Sequence, residues 1–350
     1  MSKSSRYFKI LDGIKEGQST LNNDPNSRVL LVDGLNTFIR AFAANPATNE
    51  NGVHIGGMAG FLLSIGYAIK NIKPTRVIIC FDGAGGSVRR KKLYSGYKEN
   101  RKNKVTPFRQ VSLSVADEEI SMQQQMVRLL EYLEKMPLTV LCIDNIEADD
   151  SIAYISQQIY TEAQCFIMST DKDFLQLVDK RVAVWSPTKK KYYFDSTIKE
   201  EFGVEAHNFL EYRTFIGDTS DGIGGIKGAG PKTLQKIIPM LFESDKVEMD
   251  DIKKFVTDSE STLKLLAAVR NSFDIVERNY ILMQLKEVDI SGHAKTSISN
   301  QVINPIPRLN KMMINKMILE DMMNGSIKNP DLWLREVFFT LDAMASKTHS

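Results

Sequence analysis

Four short, uninterrupted apolar runs limit the fold of this chain more than any other feature. They are RVLLVD (28–33), RVIICFD (76–82), LTVLCID (138–144) and QCFIM (164–168). None alternates polar with apolar residues, so strands built from them must be covered on both faces. Between them lie segments with helical apolar spacing: MAGFLLSIGYAIKNI (58–72), EEISMQQQMVRLLEYLEKM (118–136) and ADDSIAYISQQIYTEA (148–163). Strands alternating with helices predict an α/β chain with a mostly parallel central sheet flanked by helices.

The remainder divides around that core. Residues 1–27 read as a polar extension, and 28–195 as the sheet domain. From 196 to 300 the pattern is helical, and 301–350 forms a C-terminal helical region. The methionine-rich stretch MMINKMILEDMMN (312–324) reads as core packing, since methionine fills irregular gaps. Cys80, Cys142 and Cys165 each sit inside an apolar run and read as buried strand residues, suggesting neither disulfides nor zinc. No apolar stretch reaches the roughly 18 residues a membrane span needs. The N-terminus also lacks a run of signal-peptide length, so the expected setting is a reducing cytoplasm, bacterial or of an infected host.

Each sheet run ends in or just before acids. In open α/β sheets, ligands bind at the carboxyl ends of strands, so these acids should converge. Nine stand out: Asp33, Asp82, Glu147, Asp149, Asp150, Asp171, Asp173, Asp218 and Asp221. Any one could cap a helix or shape a turn. Together they cannot approach one another without a cation. Oxygen ligands without histidine or cysteine select a hard ion such as Mg²⁺ or Mn²⁺. His54, His207, His293 and His349 all lie outside these segments, which leaves zinc chemistry without support.

Net charge is only +2, but its distribution is uneven. Arg89, Arg90, Lys91, Lys92, Lys98, Arg101, Lys102 and Lys104 crowd one segment that contains a single acid, Glu99, and leave the rest mildly acidic. A basic strap on an acidic body suits a chain that holds metal with carboxylates and phosphates with the strap. Further on, GDTSDGIGGIKGAG (217–230) packs six glycines into fourteen positions and runs into Pro231. Its GIKGAGPKT portion has the hydrophobic–Gly–x–Gly form of helix–hairpin–helix turns, which grip a nucleic-acid backbone without reading bases. Gly225, Lys227, Gly228, Gly230 and Lys232 are its candidate phosphate contacts.

LVDG, FDG, YKENR, IEADD, STDKDF and GDTSDGIGGIKGAGPKT occur in an order that resembles the flap-endonuclease/5′–3′ exonuclease superfamily, in its phage and bacterial branch. WSPTKKKYY is similar to a segment of phage 5′ nucleases of RNase H type. The resemblance spans roughly residues 28–235. It implies a PIN-like 5′ nuclease fold, with a helical arch over about 85–125 and a helix–hairpin–helix subdomain at 217–235. It further implies that Asp33, Asp82, Glu147, Asp149 and Asp150 lie nearer a first metal, and Asp171, Asp173, Asp218 and Asp221 nearer a second. Lys98 and Arg101 resemble the catalytic cations at the arch base, and Tyr97 an aromatic that stacks on a base near the cut. Arg89, Arg90, Lys91, Lys92 and Lys102 would be further nucleic-acid contacts. K⁺ can sit at the hairpin in related proteins.

The implied activity is structure-specific, Mg²⁺-dependent cleavage of 5′ flaps, overhangs and junctions, leaving 5′-phosphate and 3′-hydroxyl ends. Removal of RNA primers, action on RNA–DNA hybrids, and contacts with a clamp or single-strand-binding protein are further expectations. Two other readings remain: a non-catalytic, structure-specific DNA-binding protein on the same scaffold, and a PIN-type ribonuclease acting on RNA alone.

Overall fold

The structure is a computed structural model and describes residues 23–100, 115–260 and 263–348. A six-stranded sheet runs in the order β3-β2-β1-β4-β5-β6. Its strands are β1 (Arg28–Asp33), β2 (Arg76–Asp82), β3 (Thr139–Ile143), β4 (Gln164–Met168), β5 (Val182–Ser186) and β6 (Lys191–Tyr193). The first five are parallel, and β6 returns antiparallel to β5. WSPTKKKYY carries the end of β5, the turn and β6; β5 itself (VAVWS) is a fifth apolar run, whereas β6 is not marked as strand by its apolar pattern.

Alternate residues of the central strand feed two different cores, which is why these runs are apolar throughout. Val29 and Leu31 pack with Ile78, Cys80 and Ile167, on the side of the helices around Ala148–Tyr154 and Phe209–Ile216. Leu30 and Val32 pack on the opposite side, with Val77, Ile79 and helix Gly56–Ile72. The C-terminal helices Lys311–Glu320 and Pro330–Thr348 join this second core through Ile314, Met317, Phe338 and Leu341. The methionine-rich stretch is thus partly core, as with Met317 and Met323, and partly surface, with Met312 76% exposed.

Some local expectations are corrected. Cys80 and Cys165 are buried, but Cys142 is exposed because β3 is the sheet edge. The helix predicted to reach 163 ends as a π turn at Ile155–Ile159. Of the expected arch, the described flanks are Val88–Leu93 and Val115–Leu133, while 101–114 lie outside the described residues. The second flank is fastened to the body at Gln125, whose Oε1 accepts the N–H groups of Gly57 (2.9 Å) and Met58 (3.2 Å). Among the described residues no helix is long and apolar enough to cross a membrane.

Candidate active site

Parallel strands bring their carboxyl ends to one edge, and β1 is the point where the strand order reverses. Asp33 ends β1 and caps the following helix by accepting the Asn36 N–H at 3.1 Å. Asp82 ends β2 and accepts the Ala148 N–H at 2.7 Å, which ties it to the start of the helix bearing Asp149 and Asp150. Asp171 follows β4 and caps the short turn Lys172–Leu177. Asp33, Asp82, Asp149, Asp171 and Lys98 line one cleft of about 620 Å³.

Six of the nine acids form two tight groups, each with one member lining this cleft. Ligand oxygens of Glu147, Asp149 and Asp150 lie within 4.8 Å of one another, and so do those of Asp171, Asp173 and Asp218. Two carboxylates at that separation repel by about 3–4 kcal/mol at an effective dielectric near 20. Asp221 is buried beside the second group and raises Asp171 and Asp173.

Two arginines relieve part of this repulsion from inside. Arg90, 2% exposed, forks onto Asp150 (2.8 and 3.0 Å), pairs with Glu147, and donates to the Leu282 carbonyl at 2.9 Å. Arg213 bridges Asp173 (3.1 Å) and Asp218 (2.5 Å) and donates to the Gly217 carbonyl. Such forked, buried pairs fix carboxylate orientation. Arg90 is thereby removed from the expected phosphate contacts. It lies inside, with its donors spent on acids and a carbonyl.

Arg213 was not anticipated from the sequence. Its one signal is an arginine in the mostly buried stretch LEYRTFIG, where a buried guanidinium needs acidic partners.

Asp33, Asp82 and Asp171 have no ion-pair partner among the described residues, and burial raises all three. Asp33 reaches about 7, with Asp171 and Asp82 adding repulsion, and Asp171 reaches about 6, mainly through burial and then Asp221. Asp82 is raised by burial, despite the Ala148 hydrogen bond and nearby Lys98. Asp150 is lifted to about 6 by burial and Asp149. Burial would also raise Asp149, but Arg90 and Lys98 outweigh it and hold that carboxylate low. Acids raised by burial and mutual repulsion, all oxygen donors, are a fitting cradle for hard divalent cations.

Of the basic strap, Lys98 pairs with Glu147 and lines the cleft. Lys91 is exposed on a small groove shared with Asp82, Gly83, Lys98 and Glu147. Arg89 and Lys92 line a separate cavity of about 750 Å³, and Arg89 pairs with Asp289 (3.7 Å) and Asp150 (3.4 Å). Arg101 and Lys102 lie outside the described residues. Tyr97 is a second correction. Its ring is 2% exposed, packed among Leu210, Ile223, Leu282 and Met283, with its hydroxyl donating to Glu147 at 3.2 Å. A ring so enclosed has no free face for a base.

The glycine-rich segment forms a two-stranded turn, Gly217–Asp218 against Ile223–Gly224, followed by helix Pro231–Ile237. Gly217 has φ +74°, and a Cβ there would lie 2.4 Å from the Gly225 nitrogen. Gly225, Gly228 and Gly230 lie in the turn ahead of the helix, with Lys227 and Lys232 exposed beside them.

Known proteins resemble this chain in sequence and in fold. The family model for the 5'-3' exonuclease, N-terminal resolvase-like domain, matches residues 28–203. A 5'-3' exonuclease of Bacillus subtilis is 31% identical over 222 residues, covering 61% of this chain and 70% of that relative. A flap endonuclease Xni of Shewanella denitrificans is 32% identical, covering 60% and 76%. In fold, the chain is similar to the bacteriophage T5 flap endonuclease, solved as a pseudo-enzyme–product complex with DNA and metal ions. The TM-score is 0.64 at 20% identity, covering 79% of this chain and 98% of that one. The chain therefore belongs to the 5′ nuclease family that includes the 5′–3′ exonucleases and flap endonucleases.

Proposed function

We propose that this chain cuts DNA at junctions of single strand and duplex, removing 5′ flaps and 5′ overhangs, with two bound Mg²⁺ ions for which Mn²⁺ can substitute. The observation that carries this reading is the cleft itself. Acids without ion-pair partners among the described residues, Asp33, Asp82 and Asp171, share it with Lys98, and an internal arginine braces the acids on either side. Asp33, Asp82, Glu147, Asp149 and Asp150 would hold one ion. Asp171, Asp173, Asp218 and Asp221 would hold the other. Two such ions, when bound, supply an activated water and charge for the leaving oxygen, giving 5′-phosphate and 3′-hydroxyl ends.

The protein's own part is to place the phosphodiester. Lys98 would meet the scissile phosphate, since an ammonium in a low-dielectric cleft stabilises developing negative charge, and Arg101 would join it. Arg90 and Arg213 hold four acids in fixed orientation. Lys227 and Lys232, with the glycine turn, would grip the duplex backbone without base readout, and K⁺ could share that turn. The terminal nucleotides would unpair into the cleft, which costs least at a frayed end or flap. RNA–DNA hybrids, including RNA primers, fit the same shape-based recognition. A clamp or single-strand-binding protein would dock on the C-terminal helices. The site of action would be the bacterial or infected-host cytoplasm. The domain division proposed is 28–195 for the nuclease sheet and 196–300 for the hairpin-bearing helices.

A non-catalytic DNA-binding protein would have no use for nine convergent acids. An RNA-only nuclease would have no use for the duplex-gripping hairpin. A cleavage assay on 5′-flap DNA, an RNA–DNA hybrid with a 5′ overhang, and plain single-stranded RNA separates the three readings. The flap and hybrid should be cut in Mg²⁺, and Asp171→Asn or Asp150→Asn should abolish cutting while flap binding persists. Cutting of single-stranded RNA alone, or binding without any cutting, would overturn the proposal.

A further inference from the structure

The segment carrying Lys98 is seated on the glycine-rich turn by contacts that the metal reading does not use. The Lys98 N–H donates to the Asp221 carbonyl at 2.7 Å, and Asn100 Nδ2 donates to the Thr219 carbonyl at 2.7 Å. Gly222, at φ +73°, lies so close that a Cβ on it would sit 2.6 Å from the Gly96 carbonyl oxygen. Tyr97, between these points, is plugged into the apolar niche that includes Ile223 of the same turn. Lys98 itself has φ +54°. A non-glycine residue held there costs of order 1–3 kcal/mol and persists only where its surroundings impose it.

These contacts have a directional consequence. The Lys98 backbone is clamped by Asp221, while its ammonium pairs with Glu147. Asn100, Thr219 and Ser220 form the wall of the cleft that Lys98 enters. Removing the seat would let the left-handed turn at Lys98 relax, and the side chain would leave the cleft. The seat is also continuous with the hairpin. Asn279, fully buried, donates to the carbonyls of Thr214 and Gly224 at 2.9 Å each and fixes the turn to helix Phe273–Met283.

We propose that the turn Thr219–Gly222 is a seat that aims Lys98 into the carboxylate cleft, with Asn100 and Gly222 as positioning residues for the cleavage step. This inference rests on the 5′ nuclease reading of the same site.

The test is a double-mutant cycle on single-turnover cleavage of a 5′-flap DNA, with flap affinity measured separately in EDTA. Gly222→Ala, Asn100→Ala and the similarly sized, uncharged Asn100→Leu, which lacks the donor, are each placed in wild type and in Lys98→Ala. A displacement of about 1 Å at a catalytic group can lower a rate by up to about a hundredfold, so a loss of about tenfold or more is expected in wild type. Affinity should be unchanged, and the same substitutions should add nothing in the Lys98→Ala background, since residues acting through one another are non-additive. Equal losses in both backgrounds would place the effect on Asp221 or on folding and overturn the proposal. Unchanged rates, or a loss of affinity, would overturn it as well. Should Gly222→Ala fail to fold, the two variants at exposed Asn100 decide alone. A wild type that cuts while these variants behave as wild type sinks only the seat. A wild type that cuts nothing sinks the nuclease reading beneath it.

Discussion

At the scale of single residues, the site is organised by which acids have internal counter-ions and which do not. Glu147, Asp150, Asp173 and Asp218 are each held by Arg90 or Arg213, and removing one partner from such buried pairs leaves an uncompensated charge. Asp33 and Asp171 have no such partner among the described residues, and their raised values make metal-free stability depend on pH. A carboxyl whose folded-state value lies above its unfolded value binds protons more readily in the fold. Stability is then highest when the group is protonated, and it falls as pH rises from about 4 towards about 7 for Asp33. The slope is about 1.4 kcal/mol per pH unit and per group between the two values. Thermal melting in EDTA should therefore drop between pH 5 and 7, less steeply in Asp33→Asn. A melting temperature that rises over this interval in EDTA would contradict the assignment.

At the scale of elements, the sheet was legible because its physics is local. Uninterrupted apolar runs ending in acids can be read one strand at a time. The internal cations were not, because in RRKK nothing local distinguishes Arg90, which turns inward, from Lys91 and Lys92, which stay exposed. Tyr97 was misjudged for the same reason, its niche being built by residues more than a hundred positions away. Of hairpin β5–β6, strand β5 (VAVWS) is a further apolar run that a reading of four runs omits, while β6 (KYY) is too short and too polar to stand out. Long-range anchoring also decides how the helix Val115–Leu133 sits. Gln125 supplies the acceptor for two N–H groups at the start of helix Gly56–Ile72, and its Nε2 donates to the His54 carbonyl at 2.8 Å. Gln125→Ala leaves these buried groups unsatisfied and should lower stability by about 1–3 kcal/mol, read by denaturant unfolding. A loss below about 0.5 kcal/mol, the usual range for surface changes, would show that the helix is held elsewhere.

At the scale of the whole molecule, the sheet's carboxyl edge, the segment of Lys98 and Asn100, and Thr219 and Ser220 of the glycine-rich segment meet at one cleft. Family membership agrees with that geometry, although the overall likeness to solved flap endonucleases is modest in sequence. The meeting of Asp33, Asp82, Asp149 and Asp171 was readable from acids placed at or after strand ends, while the C-terminal helices that complete the second core carried no motif to place them. The central claim is that these acids share a pocket made tolerable by divalent ions, and a Mn²⁺ titration followed by electron paramagnetic resonance tests it most directly. Two Mn²⁺ ions per chain should bind, one weakened by Asp171→Asn and the other by Asp82→Asn. Binding that is absent, or unchanged by both substitutions, would contradict the account.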